Sequence, residues 1–250
     1  MLERFATGAS TFAPNIDHLI FLVAALVGFW LIAAEAALFW LMFKFRRKDG
    51  QAPQYVTGEE KQLTKWITVP HFLVILCDLV IIVPAILVWV NVKQNLPPAE
   101  QTVRIFSQQW AWSFQQPGPD GILDTADDIR TVGDLHVKVN TVYHFELQSR
   151  DVLHSFSVPM FRLKQDAVPG RTITGWFEAT RTGTFDIQCT QMCGMGHGLM
   201  AARIVVETPQ QHTAWMKSVS SPATAAIVTA PPSFPAVQND VNSEFAEVRR

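Results

Sequence analysis

The sequence predicts an N-terminal two-helix transmembrane hairpin followed by an all-β Greek-key sandwich or barrel. Three observations predict it. Two apolar runs long enough to cross a bilayer occupy the first third of the chain. The segment between them is rich in lysine and arginine. Beyond residue 102 the hydrophobic periodicity changes from helical to twofold, the pattern of half-buried strands. Composition agrees: 250 residues, 48% hydrophobic, 17% charged and a formal charge of −2 leave ample material for a core. They argue against disorder and against a nucleic-acid partner.

Residues 1–18 form an external N-terminal segment. Their start, MLERFATGASTFAPN, lacks a charged region running directly into a short apolar stretch and a small-residue cleavage site, so no removable signal peptide is expected. Residues 19–43, LIFLVAALVGFWLIAAEAALFWLMF, carry one ionisable group and exceed the roughly 20 residues a spanning helix needs. Residues 67–91 form the second span, with Trp66 and Trp89 where an interfacial aromatic belt would place them. Neither run has the polar stripe that a buried helix of a soluble protein would show. The intervening loop, 44–66, holds Lys44, Arg46, Arg47, Lys48, Lys61 and Lys65 against Asp49, Glu59 and Glu60, and is therefore expected on the cytoplasmic side with both termini outside. Glu35, His71 and Asp78 lie at or near membrane depth, where an ionisable group is costly unless it faces protein or water, and each suggests contact with another subunit.

A polar, proline-containing linker, 92–101, leads into the β-domain at 102–208. Segments such as VRIFSQQWAWSF, VYHFELQS, GTFDIQC and MAARIVVE are short, rich in β-branched and aromatic residues, and bounded by turn formers, which predicts seven or eight strands. After Thr208 a threonine cap and a proline at the first helical position predict a short helix, and an Ala-, Ser- and Pro-rich tail completes 209–250. The insertion at 117–129 gathers Asp120, Asp124, Asp127 and Asp128. It lacks the full calcium-loop pattern and its terminal glutamate, so it reads as an acidic hairpin before a calcium site.

The chemistry is concentrated in CTQMCGMGHGLM, residues 189–200. Phe185, Ile187 and Cys189 share one strand face, as do Met200, Ala202, Ile204 and Val206 on the next strand, so Cys189 and Met200 both point inward. Cys193 and His197 lie on the loop that joins them. A disulfide between Cys189 and Cys193 would leave His197 and Met200 without a purpose. Zinc rarely recruits methionine. Thiolate, imidazole and thioether together form the ligand set of an electron-transfer copper, and the second thiolate is what a close pair of coppers needs. Spacing alone leaves His136, His144 and His154 all open as the upstream imidazole.

Two spans followed by Cys-x-x-x-Cys-x-x-x-His-x-x-Met, with DVLHSFSVPMFRLKQDAVPG and QWAWSF upstream, resemble subunit II of the heme-copper cytochrome c oxidases over residues 19–215. The resemblance implies a cupredoxin-like domain with a dinuclear copper A centre. Its ligands would be His154, Cys189, Cys193, His197, Met200 and the backbone carbonyl of Gln191. It implies electron uptake from cytochrome c at Trp110, delivery to heme in a separate catalytic subunit I that reduces O2 with proton translocation, further membrane subunits, and a place in the bacterial inner membrane. Asp134, Glu146, Asp151 and Glu178 would attract a basic cytochrome. Two positions depart from the family's pattern. Gln191 stands where many relatives carry a glutamate that helps bind magnesium, and an amide is a weaker ligand for that hard cation. Leu63 stands where relatives carry a proton-path glutamate, leaving Glu59, Glu60 or another subunit for that role. A quinol oxidase subunit would lack the copper ligands, a nitric oxide reductase copper A subunit would share them, and a membrane-anchored copper carrier would need exposed, exchangeable donors. No Cys-x-x-Cys-His occurs, so heme belongs to the partner.

Overall fold

The structure, a computed structural model, describes residues 7–50 and 57–219. Two long helices come first, α1 (Ala13–Lys44) and α2 (Lys61–Trp89), the second running on through a π-helical turn at Val90–Gln94. Both begin about six residues earlier than their apolar runs, because local chemistry sets the start. Pro14 pre-organises the first turn of α1. Before α2, the Glu60 carboxylate accepts from the backbone N–H groups of Thr57 and Gly58 and from the Thr57 hydroxyl, which orders the approach to the helix. Those same bonds, led by the Thr57 N–H, hold Glu60 below the usual carboxylate range.

At 32 residues α1 is about 48 Å long at the helical rise, more than the hydrocarbon core requires. The helices pair antiparallel, with Trp30 Nε1 donating to Cys77 Sγ at 3.1 Å, and otherwise leave large apolar side chains such as Phe21, Ile32, Phe43 and Phe72 exposed. That exposure suits lipid and partner helices, and anchors the chain in a membrane. Half-buried Leu22, Leu26, Trp30 and Ala33 mark the face of α1 turned to α2, whereas Glu35 lies on the opposite face and His71 and Asp78 are exposed on α2.

The β-domain has ten strands among the described residues, more than the turn signals resolve, because the acidic insertion ends in a strand of its own and the DVLHSF segment supplies two more around a tight turn. In order they are β1 (Gln101–Gln108), β2 (Ala111–Gln116), β3 (Ile129–Val132), β4 (Asp134–Lys138), β5 (Val142–Ser149), β6 (His154–Val158), β7 (Leu163–Ala167), β8 (Ile173–Glu178), β9 (Gly183–Cys189) and β10 (Ala201–Glu207). One sheet runs β3-β2-β1-β5-β8 and the other β4-β10-β9-β6-β7. Strands β1 and β5, and β10 and β4, pair in parallel, and every other strand pair is antiparallel, a crossed connectivity expected of a Greek-key sandwich. Between the sheets lie the fully buried rings of Trp112, Phe114, Phe145, Phe156, Phe161 and Phe177, each contributing about 1.5–3 kcal/mol of apolar burial. Phe156 meets Trp112 edge-on, with ring centroids 5.5 Å apart.

A third helix, α3 (Pro209–Val219), is capped by Thr208, whose Oγ1 accepts from Gln211 N while Gln211 Oε1 accepts from Thr208 N. Trp215 stacks flat on His136, at 4.2 Å, and fastens α3 to β4.

Specific contacts join the sandwich to the hairpin. Ser10 bridges to Ala179, its hydroxyl donates to the Phe161 carbonyl, and Phe12 packs edge-on against Trp176, whose Nε1 donates to the Val92 carbonyl. Arg162 grips Asp17 at the top of α1 with Nε–Oδ1 at 2.6 Å.

Candidate metal centre

Strands β10, β9 and β6 are consecutive in their sheet, and that adjacency assembles the centre. The register of β9 with β10 sets Cys189 opposite Met200, whose carbonyl accepts from Cys189 N at 3.2 Å. On the other side of β9, Cys189 pairs with Phe156, which brings the first residue of β6, His154, alongside. Alternating burial along β9 and β10 turns Cys189, Ile187, Ala202 and Ile204 inward, as strand parity requires.

Among the described residues, one group of histidine, cysteine and carboxylate side chains is close enough to hold a metal ion: His154, Cys189 and Cys193, all buried. The two Sγ atoms are 3.7 Å apart and both cysteines are free thiols. His154 Nδ1 lies 3.9 Å from Cys189 Sγ, and His197 Nδ1 lies 3.6 Å from Cys193 Sγ. Met200, 2% exposed, has its Sδ 3.9 Å from Cys193 Sγ, and the Gln191 carbonyl oxygen is 3.3 Å from Cys189 Sγ. Of the three upstream histidines, tertiary structure brings only His154 here. His136 Nδ1 contacts Glu207, and His144 Nε2 contacts the Pro97 carbonyl at 2.7 Å.

Donor orientation matches metal binding. His154 Nε2 lies 2.8 Å from Asp151 Oδ1, so the carboxylate fixes the Nε2–H tautomer and leaves the Nδ1 lone pair facing the sulfurs. Burial works to raise the Asp151 carboxyl, but the His154 bond and the backbone N–H groups of Gln109 and Val152 outweigh it and hold it below the usual range. Asp151 therefore stays charged and keeps its grip. Burial, then the neighbouring Cys189, pushes the Cys193 thiol up to about 11. The Cys193 thiol keeps its proton in that setting, and a cation beside it removes the cause. Two soft sulfurs, two imidazoles and a buried thioether fit copper better than zinc.

The loop carrying Cys193 is held from the facing sheet. Its carbonyl accepts from Gln109 Nε2 at 2.8 Å and from Trp110 Nε1 at 3.2 Å. Trp110 is 39% exposed, and its ring lies so close over Gly196 that a Cβ there would collide with it. The indole thus spans from solvent to the metal loop. Sequence reasoning assigned Asp151 to partner attraction and passed over Gln109. The i, i+3 spacing of Asp151 and His154 is a readable signal, whereas nothing in the sequence links Gln109 to a carbonyl 84 residues away.

Several of the remaining acids are engaged locally. Asp134 is paired with Arg203, and Glu146 with Arg104. In the 117–129 insertion Asp124 is bound by Arg104, Asp128 accepts from Gln115 and Asp124 N, and Asp127 accepts from Thr125 and Asp120 N.

The family described as "Cytochrome C oxidase subunit II, periplasmic domain" matches residues 101–208. The alternative cytochrome c oxidase subunit 2 of Bradyrhizobium diazoefficiens is 33% identical over 225 residues, 81% of this chain and 79% of the relative. The cytochrome c oxidase subunit 2 of Cereibacter sphaeroides is 27% identical over 243 residues, covering 85% and 78% of the two chains. The crystal structure of the periplasmic domain of cytochrome oxidase subunit II from Bradyrhizobium japonicum is also similar. It is 29% identical, covers 50% of this chain and 96% of its own, and has a TM-score of 0.45. With the ligand motif, the paired helices and a relative alike along most of its length, the chain belongs to the cytochrome c oxidase subunit II family.

Proposed function

We propose that this chain accepts electrons from a cytochrome c at a dinuclear copper A centre held by His154, Cys189, Cys193, His197, Met200 and the Gln191 carbonyl, and passes them to heme in a catalytic subunit. One observation carries the reading: two free, buried thiols 3.7 Å apart, each with a histidine nitrogen within 3.9 Å, at one end of a rigid sandwich. When bound, the copper pair supplies a one-electron store that alternates oxidation state.

The chain's own residues prepare that chemistry. Asp151 orients His154, and the strand pairing of β10, β9 and β6 fixes Cys189, Met200 and His154 relative to one another before metal arrives, which keeps rearrangement on electron transfer small. Trp110, hydrogen-bonded to the Cys193 carbonyl and open to solvent, is suited to electron uptake from a docked donor. Asp134 and Glu146 are paired to arginines, and Trp110 offers a docked donor an apolar contact beside the metal loop. The basic stretch Lys44, Arg46, Arg47 and Lys48 supports an inner position for the loop between the helices, which sets both termini and the metal centre on the outer side. Glu35, His71 and Asp78, exposed on the helices, face partner subunits in this arrangement. No magnesium is assigned, because Gln191 offers an amide where a carboxylate is needed.

The test is an EPR spectrum of the copper-loaded, partly oxidised chain. A hyperfine pattern from one electron shared equally over two copper nuclei supports the proposal. A single-copper pattern, or no copper retained after mild chelation, defeats it.

A further inference from the structure

The metal loop contains three methionines in two opposite situations. Met200 is 2% exposed and faces the thiols, whereas Met192 is 76% and Met195 98% exposed. An apolar side chain left almost entirely in water gains nothing from the fold. Their positions are not random either. Met192 adjoins Cys193, and Met195 falls midway between Cys193 and His197. Gly194, at φ +116°, adopts a backbone conformation that other residues rarely take, and it separates Cys193, 4% exposed, from the outward Met195. The loop that displays them is fixed, with the Cys193 carbonyl held by Gln109 and Trp110 and with His197 N bonded to the Gly194 carbonyl at 3.1 Å.

We propose that Met192 and Met195 form an outer thioether site that captures Cu(I) at the mouth of the centre and hands it to the buried cysteines. The inference rests on the copper A reading and deepens it. A thioether is neutral, polarisable and selective for a soft monovalent ion, and it binds weakly enough to let go. A thiolate binds the same ion more strongly. The route from Met195 and Met192 through Cys193 to Cys189 therefore climbs in affinity from solvent to interior. Transfer is a ligand exchange: the Cu–S(thioether) bond breaks, a Cu–S(thiolate) bond forms, the thiol proton leaves to water, and no electron moves.

The rival role for this surface is apolar contact with another protein, since Leu199 on the same loop is 86% exposed. Leucine retains the volume and apolarity of methionine and lacks only the sulfur. The experiment uses the reduced, metal-free, full-length chain in detergent, with Cu(I) supplied as its bicinchoninate complex and uptake followed by the loss of that complex's colour. M192L/M195L is expected to take up copper about tenfold more slowly at limiting Cu(I), equivalent to about 1.4 kcal/mol in the capture step. It should reach the same final copper content and, after partial oxidation, the same EPR spectrum as the unaltered chain. Equal uptake rates overturn this inference alone and assign the exposed side chains to apolar contact. An unaltered chain that takes up no copper overturns the copper A reading and this inference with it.

Discussion

Among the described residues two loops concentrate potential metal ligands, and only one of them belongs to a group close enough to hold an ion. The stretch from Cys189 to Met200 and the acidic insertion at 117–129 are equally conspicuous in the sequence. In the insertion each carboxylate is bonded within its own surroundings: Arg104 binds Asp124, Thr125 and Asp120 N bind Asp127, Ile122 N binds Asp120, and Gln115 and Asp124 N bind one oxygen of Asp128. In the metal loop the partners do the reverse. Gln109 and Trp110 bind the backbone carbonyl of Cys193, and Asp151 binds the far nitrogen of His154, leaving sulfurs and imidazole nitrogens facing one another. Ligand-type residues become a site where the scaffold satisfies everything except their lone pairs.

The sharpest attempt to break this contrast is Cys193→Ser. A hydroxyl cannot bridge soft ions as a thiolate does, so the dinuclear EPR signal and reduction by cytochrome c should both vanish while the β-sheet circular dichroism persists. Rapid reduction retained in this variant would sink the copper A assignment.

Next in size is a comparison among histidines. His154→Gly should abolish the paired-copper spectrum. His144→Gln and His136→Gln, whose parent rings are committed to the Pro97 carbonyl and to Glu207, should leave it unchanged. Loss of the spectrum in either of those would mean that the metal lies elsewhere in the domain.

Asp151→Asn keeps the shape and lets an amide N–H face His154 Nε2, which favours the Nδ1–H tautomer and blocks the lone pair. Copper affinity should fall about 10–100-fold, the usual cost of losing such an orienting partner. A titration indistinguishable from the unaltered chain would remove Asp151 from the centre.

A smaller effect concerns a histidine away from the metal. Burial, and then the Lys138 charge, lower His212 to about 4. The folded state thus holds it neutral where the unfolded chain would protonate it. The stability it contributes is present above about 6.5 and lost as pH falls from there towards 4. Thermal unfolding between those pH values should shift less in His212→Gln than in the unaltered chain, and equal shifts would refute this account of α3.

The smallest expectation belongs to the acidic insertion. Added calcium should leave the melting temperature of the metal-free chain unchanged, and a clear rise would show that the internal bonds of the insertion give way to an ion.

Much of this was legible beforehand because it depends on local spacing. Apolar runs of bilayer length, the basic segment between them and the parity of Cys189 with Ile187 and of Met200 with Ala202 are one-dimensional properties that the fold preserves. Helix starts were less legible, since Pro14 and the Thr57–Glu60 bonds begin the helices ahead of the apolar residues. The strands β6 and β7 were blurred, because the backbone of the DVLHSFSVPMFRLKQDA segment reverses at Arg162 without a glycine there, in the left-handed conformation at φ 55°.

The sequence by itself therefore determined the class of the protein and four candidate donors, because residues 189–200 lie within one loop and its two flanking strands. Spacing alone could not say which distant groups lie beside these residues; tertiary structure does. His154, which spacing left level with His136 and His144 and the family resemblance singled out, is brought beside Cys189 because β6 pairs with β9, and sheet order has no trace in linear spacing. Gln109 and Trp110 reach the Cys193 carbonyl from the other sheet, and that closeness exists only once the two sheets have packed, whereas Asp151 sits three residues before His154 and its contact is local.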